Sequence, residues 1–330
     1  MDNPVVVEVT RGGIVESRHM GAYAVVDGGG KVLMSAGDIR RPVFPRSAIK
    51  AFQCLPVIES GAAEAFGFTN EEIALACASH NGEPDHIRIA SAMLAKAGNR
   101  EDDYECGAHW PHEAGALHDL VRSGAQPRPI HNNCSGKHAG MLALARKLGA
   151  GTRGYVGRDH PVQRVIARTI GELCDVDADH LVCGIDGCSV PTWAIPLRNL
   201  ALGFARLGSG EGLSEKRRKA AERIIAAVRA YPFMVAGTDR FCTRLMQAVP
   251  RAFIKTGAEG VFCGAVPHAG LGIALKCDDG AHRASEVLMA AILAALPAWT
   301  DAEREGLRSF TRSDLRNWRK IHVGEIRVTM

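Results

Sequence analysis

The chain has no uninterrupted apolar run of about 18 residues, so no membrane span is expected. Its start, Met1-Asp2-Asn3-Pro4, carries neither a basic segment nor a long apolar one, and no secretory signal is expected. No sign of charge dominates: the formal net charge is +4 and is spread along the chain. The densest basic cluster, Lys216-Arg217-Arg218-Lys219, follows Glu211 and Glu215 and reads as the wet face of a helix. It gives no reason to expect a nucleic-acid partner. No Cys-x-x-Cys pair occurs, which excludes a finger-type zinc site. Repeats, low-complexity tracts and clear linkers are also missing. These absences point to a cytoplasmic protein with neither a membrane nor a nucleic-acid partner.

What is present suits an ordinary globular chain: 46% hydrophobic and 23% charged residues. Its 330 residues can build one large domain or two modest ones. The ten cysteines, in a long chain with no export signal, are expected to be reduced. Most should be small buried hydrophobes, as Cys77 in Ile73-Ala74-Leu75-Ala76-Cys77-Ala78.

Strand patterns gather at both ends. Pro4 to Thr10, Ile14 to Met20, Ala22 to Val26 and Lys31 to Ser35 read as a meander, with Asp27-Gly28-Gly29-Gly30 as a hairpin turn. Strands return at Ala252 to Lys255, Gly260 to Ala265, Gly272 to Cys277 and His322 to Thr329. Helical periodicity fills the middle: from Ser47 onward, then Asn70 to Ala78, Asp85 to Ala97, Lys137 to Leu148, Pro161 to Leu173 and Ser214 to Ala230. Ala284 to Leu296 reads as a late helix. The expected class is α+β: one antiparallel sheet from both termini, with helices and an inserted helical region, over residues 1–330 as a single domain.

Three short motifs follow one another: Ser47-Ala48-Ile49-Lys50, Ser79-His80-Asn81 and Lys255-Thr256-Gly257. Each alone has a plain reading, as a helix cap, a solvated lysine or a turn. Their order resembles the Ser-x-x-Lys, Ser-x-Asn and Lys-Thr-Gly set of the penicillin-recognising enzymes. Serine is a poor nucleophile without a base, and a lysine three residues on along a helix shares its face. A lysine acts as base only when neutral, and burial beside a second cation favours the neutral amine. Ser79 can relay protons or act as nucleophile itself, and Asn81 can orient a lysine or the substrate. Helix-start potential, with Arg46, favours a developing oxyanion.

A second dense segment is Asn132-Asn133-Cys134-Ser135-Gly136-Lys137-His138, running into an apolar helix. Here Gly136 reads as a point of close ligand approach. Asp186-Gly187-Cys188-Ser189 is a companion, again with glycine beside cysteine. Two cysteines and a histidine can hold zinc, but their spacing does not single out a ligand set. Cys106-Gly107-Ala108-His109 with His112 is an alternative cluster.

Five longer segments carry a closer resemblance: Arg41 to Lys50, Ala78 to Glu83, Asn132 to His138, Asp186 to Pro191 and Lys255 to Gly260. Together they resemble the rhizobial-type, class 3 L-asparaginases, the asparaginase II family, across essentially the whole chain. The resemblance implies a serine β-lactamase-like fold, a homodimer, and hydrolysis of L-asparagine to L-aspartate and ammonia. It implies two Ser–Lys tandems, Ser47 with Lys50 and Ser79 with Lys255. It also implies a Zn2+ ion held by Cys134, Lys137 and Cys188, with Arg46, Asn81, His138 and Asp186 toward substrate. A serine-dependent glutaminase on the same scaffold is the near alternative, since one methylene discriminates by only about 1–3 kcal/mol. A catalytically inactive metal-binding or sensor protein is the alternative of another class.

Overall fold

The structure is a computed structural model that describes residues 3–329. It divides into two compact units. The first comprises residues 1–48, 195–211 and 245–330; the second comprises 49–194 and 212–244.

The first unit is built on one antiparallel sheet. Its strands are β1 (Val5–Arg11), β2 (Ile14–Asp27), β3 (Val32–Ala36), β8 (Phe253–Thr256), β9 (Val261–Val266), β10 (Leu271–Cys277), β11 (Arg312–Arg316) and β12 (His322–Val328). The order is β11-β12-β1-β2-β10-β9-β8, with β3 also on β2. The two ends of the chain pair directly, with Val7 opposite Val328. β2 is the organising strand. The sequence suggests two strands there, but Met20 and Gly21 run on without a break. The outer half of β2 pairs with β1, and the inner half lies between β10 and β3. Its burial rises along its length, from exposed Ile14 to fully buried Ala24, Val25 and Val26. Helices α8 (Leu197–Ser209), α12 (His282–Ala295) and α13 (Asp301–Arg308) complete the unit, with α8 and α12 against the sheet. A two-residue pair, β4 (Pro42–Val43) with β7 (Ile195–Pro196), leads toward the Ser47 segment.

The second unit is helical: α1 (Lys50–Glu59), α2 (Ala62–Ala65), α3 (Asn70–Ala76), α4 (Pro84–Lys96), α5 (Ala114–Arg122), α6 (Ser135–Lys147), α7 (Pro161–Cys174), α9 (Glu215–Ala230) and α10 (Pro232–Ala236). Helix α11 (Phe241–Ala248) runs past its last residue. One hairpin, β5 (Cys183–Ile185) with β6 (Pro191–Trp193), interrupts the helices. Helix α6 is buried from Ser135 to Ala145, so it forms the centre of this unit. Gly136 has a packing reason rather than the expected ligand one. A side-chain carbon there would stand 2.4 Å from Leu75 O, so glycine lets α6 lie on α3. The architecture is thus α+β, with the sheet from both termini and the helices between, as the patterning suggests.

Candidate active site

The Ser47 segment opens differently from the expected helix. Residues Arg46–Ile49 form a 3-10 turn, and α1 begins only at Lys50. Arg46 enters that turn in the left-handed region, at φ 51°. Such a conformation is costly for a non-glycine residue and collects at functional loops. The Lys255 motif sits against this turn. A side-chain carbon on Gly257 would stand 2.5 Å from Pro45 O, so only glycine lets the β8–β9 turn approach so closely. Lys255 itself is 1% exposed on β8, and its Nζ donates to Thr256 O at 2.9 Å. The first unit therefore gathers Arg46, Ser47 and Lys255 within two touching segments.

The second unit supplies the other half of the motif set. Lys50 is fully buried in the first turn of α1. Its Nζ donates to Ser79 Oγ at 2.9 Å and to Ala78 O at 2.5 Å. The lysine expected to serve Ser47 thus holds the Ser79 hydroxyl. Ser79 lies three residues beyond the end of α3, and its N–H donates to Val235 O at 3.0 Å. Asn81 reaches neither lysine: its amide nitrogen donates to Glu83 and Thr238 O, and its oxygen accepts from Arg240.

His80, the middle residue of this motif, has a role that sequence reading leaves blank. It is fully buried, with Nδ1 accepting from Gly82 N and Nε2 lying 2.9 Å from Ser135 Oγ. Its backbone N–H also donates to Asn133 O. His80 thereby ties the Ser79 loop to the Cys134 segment. Burial, then neighbouring His86 and Lys50, push its pKa well down, so it acts as a neutral strut.

Cys134, Lys137 and Cys188 converge. Lys137 Nζ lies 2.9 Å from Cys188 Sγ, and Cys134 Sγ donates to Asn133 Oδ1 at 3.0 Å. All three side chains are buried, at 3–4% exposure. The hydrogen bond from Cys188 holds the Cys134 thiol well below its usual range, against burial and with help from Lys50 and Lys137. Cys188 moves the opposite way, raised by the same bond and by burial. Lys137 is raised despite burial, because Cys188 and Cys134 favour its charge.

Local chemistry explains this convergence. Asn132 Oδ1 accepts from Cys134 N, an Asx turn that starts α6. The β5–β6 hairpin carries Cys188 in its loop, with Asp186 N donating to Val190 O at its base. Asp186 Oδ2 is 3.9 Å from Cys188 Sγ. Among the described residues, no three His, Cys, Asp or Glu side chains gather as a metal set. The donors here are two thiols and one amine, a buried borderline-soft set that fits Zn2+ once deprotonated.

The Cys106–His112 alternative has another task. His109 Nδ1 bonds Trp110 O at 2.7 Å, and its Nε2 accepts from Asn133 N at 2.8 Å. Both ring nitrogens are engaged, and the loop braces the entry to Cys134. His138 is different. Its Nδ1 is 2.6 Å from Tyr155 Oη, which also accepts from Glu105 N. The tyrosine hydroxyl therefore donates to Nδ1, leaving the proton of the neutral ring on Nε2. That Nε2 is buried without a partner among the described residues. It is a donor aimed at something other than protein. Tyr155, which fixes the tautomer, has no motif around it that sequence reading could use.

A β-lactamase from Mycobacterium bovis is 16% identical over 88% of this chain and 95% of its own, at TM-score 0.41. A class C β-lactamase from Rhodobacter sphaeroides is 15% identical over 88% of this chain and 93% of its own, at TM-score 0.39. Mglu is 17% identical over 79% of this chain and 62% of its own, at TM-score 0.35. No curated protein sequence matches the chain. The L-asparaginase II family model matches residues 7–328, nearly the whole length, and the chain belongs to that family.

Proposed function

We propose that the protein hydrolyses L-asparagine to L-aspartate and ammonia through a serine acyl-enzyme. Family membership makes it an amidohydrolase. The observation that carries the mechanism is the buried bond between Lys50 and Ser79. With Lys50 neutral, the Ser79 hydroxyl donates to Nζ, and the lysine takes its proton as oxygen becomes nucleophilic. Ser47, on the 3-10 turn that packs against the segment after Lys255, is the proposed second hydroxyl. Attack on the side-chain amide carbon gives a tetrahedral oxyanion. Return of the proton to nitrogen expels ammonia, and water then releases aspartate from the ester. Arg46 and Asp186 are the charged contacts proposed for the two ends of the amino acid, and the His138 Nε2–H is a donor to substrate.

Cys134, Lys137 and Cys188 would hold one Zn2+. Such an ion supplies a fixed positive charge that polarises a nearby oxygen. All ten cysteines are free, which suits a reducing cytoplasm. Among the described residues no helix is long and apolar enough to cross a membrane. A homodimer should sediment at twice the 35.3 kDa chain mass.

The test is ammonia release from L-asparagine and L-glutamine by purified protein. A kcat/KM for L-asparagine well above that for L-glutamine is expected. Equal values for the two amides would sink the substrate assignment.

A further inference from the structure

Arg240 lies between α10 and α11, in a loop that no sequence motif marks. The loop is fastened to the segment that begins at Ser79. Thr238 N and Oγ1 donate to the Glu83 carboxylate at 2.8 and 2.6 Å. Asn81 Nδ2 donates to Thr238 O and to Glu83 Oε1, both at 3.1 Å. Thr243 Oγ1 donates to Gly237 O at 2.7 Å. Asp239 takes the left-handed conformation, φ 59°, one residue before the arginine. So many fixed bonds on a short loop, with a costly backbone angle, hold Arg240 in one place.

The guanidinium they hold is uncompensated. Its Nη1 donates to Asn81 Oδ1 at 3.0 Å. Asn81 is two residues beyond Ser79. The nearby acid, Glu83, gives its oxygens to Thr238 and Asn81 rather than to Arg240. Among the described residues Arg240 has no carboxylate partner. The residue is half-buried, so part of its solvation is already lost. Its charge reaches His112, whose pKa is lowered by burial first and then by His109 and Arg240. The same histidine feels Cys134. A guanidinium with unspent donors thus stands beside the Ser79 loop, with a charge felt toward the thiol cluster.

We propose that Arg240 determines specificity by receiving the α-carboxylate of the amino-acid substrate. Asn81 holds the guanidinium so that its remaining N–H donors form a fork, the arrangement that matches a carboxylate. This rests on the hydrolysis of L-asparagine proposed above and adds to Arg46, proposed there for the carboxylate end, a second guanidinium that demands a free carboxylate. A substrate carboxylate would supply the missing counter-charge. An amide without one would leave the arginine unpaired.

The experiment compares L-asparagine with 3-aminopropanamide, which keeps the amine and the side-chain amide but lacks the carboxylate. Wild-type protein should prefer L-asparagine strongly. Arg240→Met should lower kcat/KM for L-asparagine by roughly 10- to 100-fold, mostly through KM, with little change for 3-aminopropanamide. Arg240→Lys should restore part of the preference, because a point charge replaces the fork. Should Arg240→Met fail to fold, the lysine variant alone decides: a raised KM for L-asparagine only supports the role. An unchanged substrate ratio in a folded variant overturns it, while wild-type activity on L-asparagine leaves the function standing. A wild type inactive on L-asparagine overturns both.

Discussion

Residue identity decides whether the Lys50–Ser79 pair is chemistry or architecture. A fully buried lysine whose amine holds one hydroxyl and one carbonyl is an expensive structural choice. Ser79→Ala removes the hydroxyl and leaves the carbonyl contact, so the fold should stand. Its kcat for ammonia release should fall by about 100-fold or more, with an unchanged circular dichroism spectrum. A near wild-type kcat would reduce Ser79 to a packing residue. Much of this site was legible in the sequence because its chemistry lies in short runs: Ser47 to Lys50, Ser79 to Asn81, Cys134 to His138. The partners were not. Spacing suggests that Lys50 serves the serine three residues before it, while the fold brings Ser79 from the end of α3 to its amine. Tyr155 and Arg240 act through contacts to residues 17 and 159 positions away, and no local pattern encodes those.

Elements show the same division. Most long helices were legible because their apolar period is strong, whereas α8 (Leu197–Ser209) has no counterpart in the sequence reading. Strands β5 to β7 span only two or three residues, too few to display a period. Helix α5 buries no residue, so it has no core face to read. Helix α13 is short and mostly exposed, and its N-terminus is what secures it. Thr300 and Glu303 form a capping box, and Arg251 Nε donates to Glu303 Oε1 at 2.7 Å. The Arg251 bond lowers the Glu303 pKa from 4.5 to about 2, against the opposing effect of burial. A depressed carboxylate contributes stability that is complete above its unfolded value. That contribution is lost as pH falls from about 4.5 through about 2. Glu303→Gln should therefore be less stable than wild type at about pH 6, and the gap should close toward about pH 2. Denaturant midpoints for both proteins at the two pH values check this; a gap independent of pH would leave the charge of Glu303 without a part in stability.

At the scale of the whole molecule, the sequence gives no linker to mark the two units, because the chain passes between them inside regular structure. Residue 48 lies in the 3-10 turn before α1, and residue 244 lies within α11. Composition shifts cannot show such a boundary. The proposed metal offers a test that reads the folded chain as one object. Its three ligands come from the start of α6 and from the β5–β6 hairpin, with Lys137 and Cys188 separated by 51 positions. An unfolded chain does not hold these donors together, so zinc would bind the folded state preferentially. Any such ligand stabilises by mass action, by about 4.1 kcal/mol at a thousandfold excess over its Kd. Zinc takes thiolates and a neutral amine as ligands, so its binding should release protons. Protein stripped by a chelator should therefore melt several degrees lower. Its Tm should climb with the logarithm of added zinc, and elemental analysis of the restored protein should give one zinc per chain. Cys188→Ala should abolish the climb while melting near the stripped protein, since the hairpin keeps its backbone bonds. Stripped and zinc-loaded wild type with the same Tm would show that these two thiols and the amine form a buried hydrogen-bonded cluster and hold no metal.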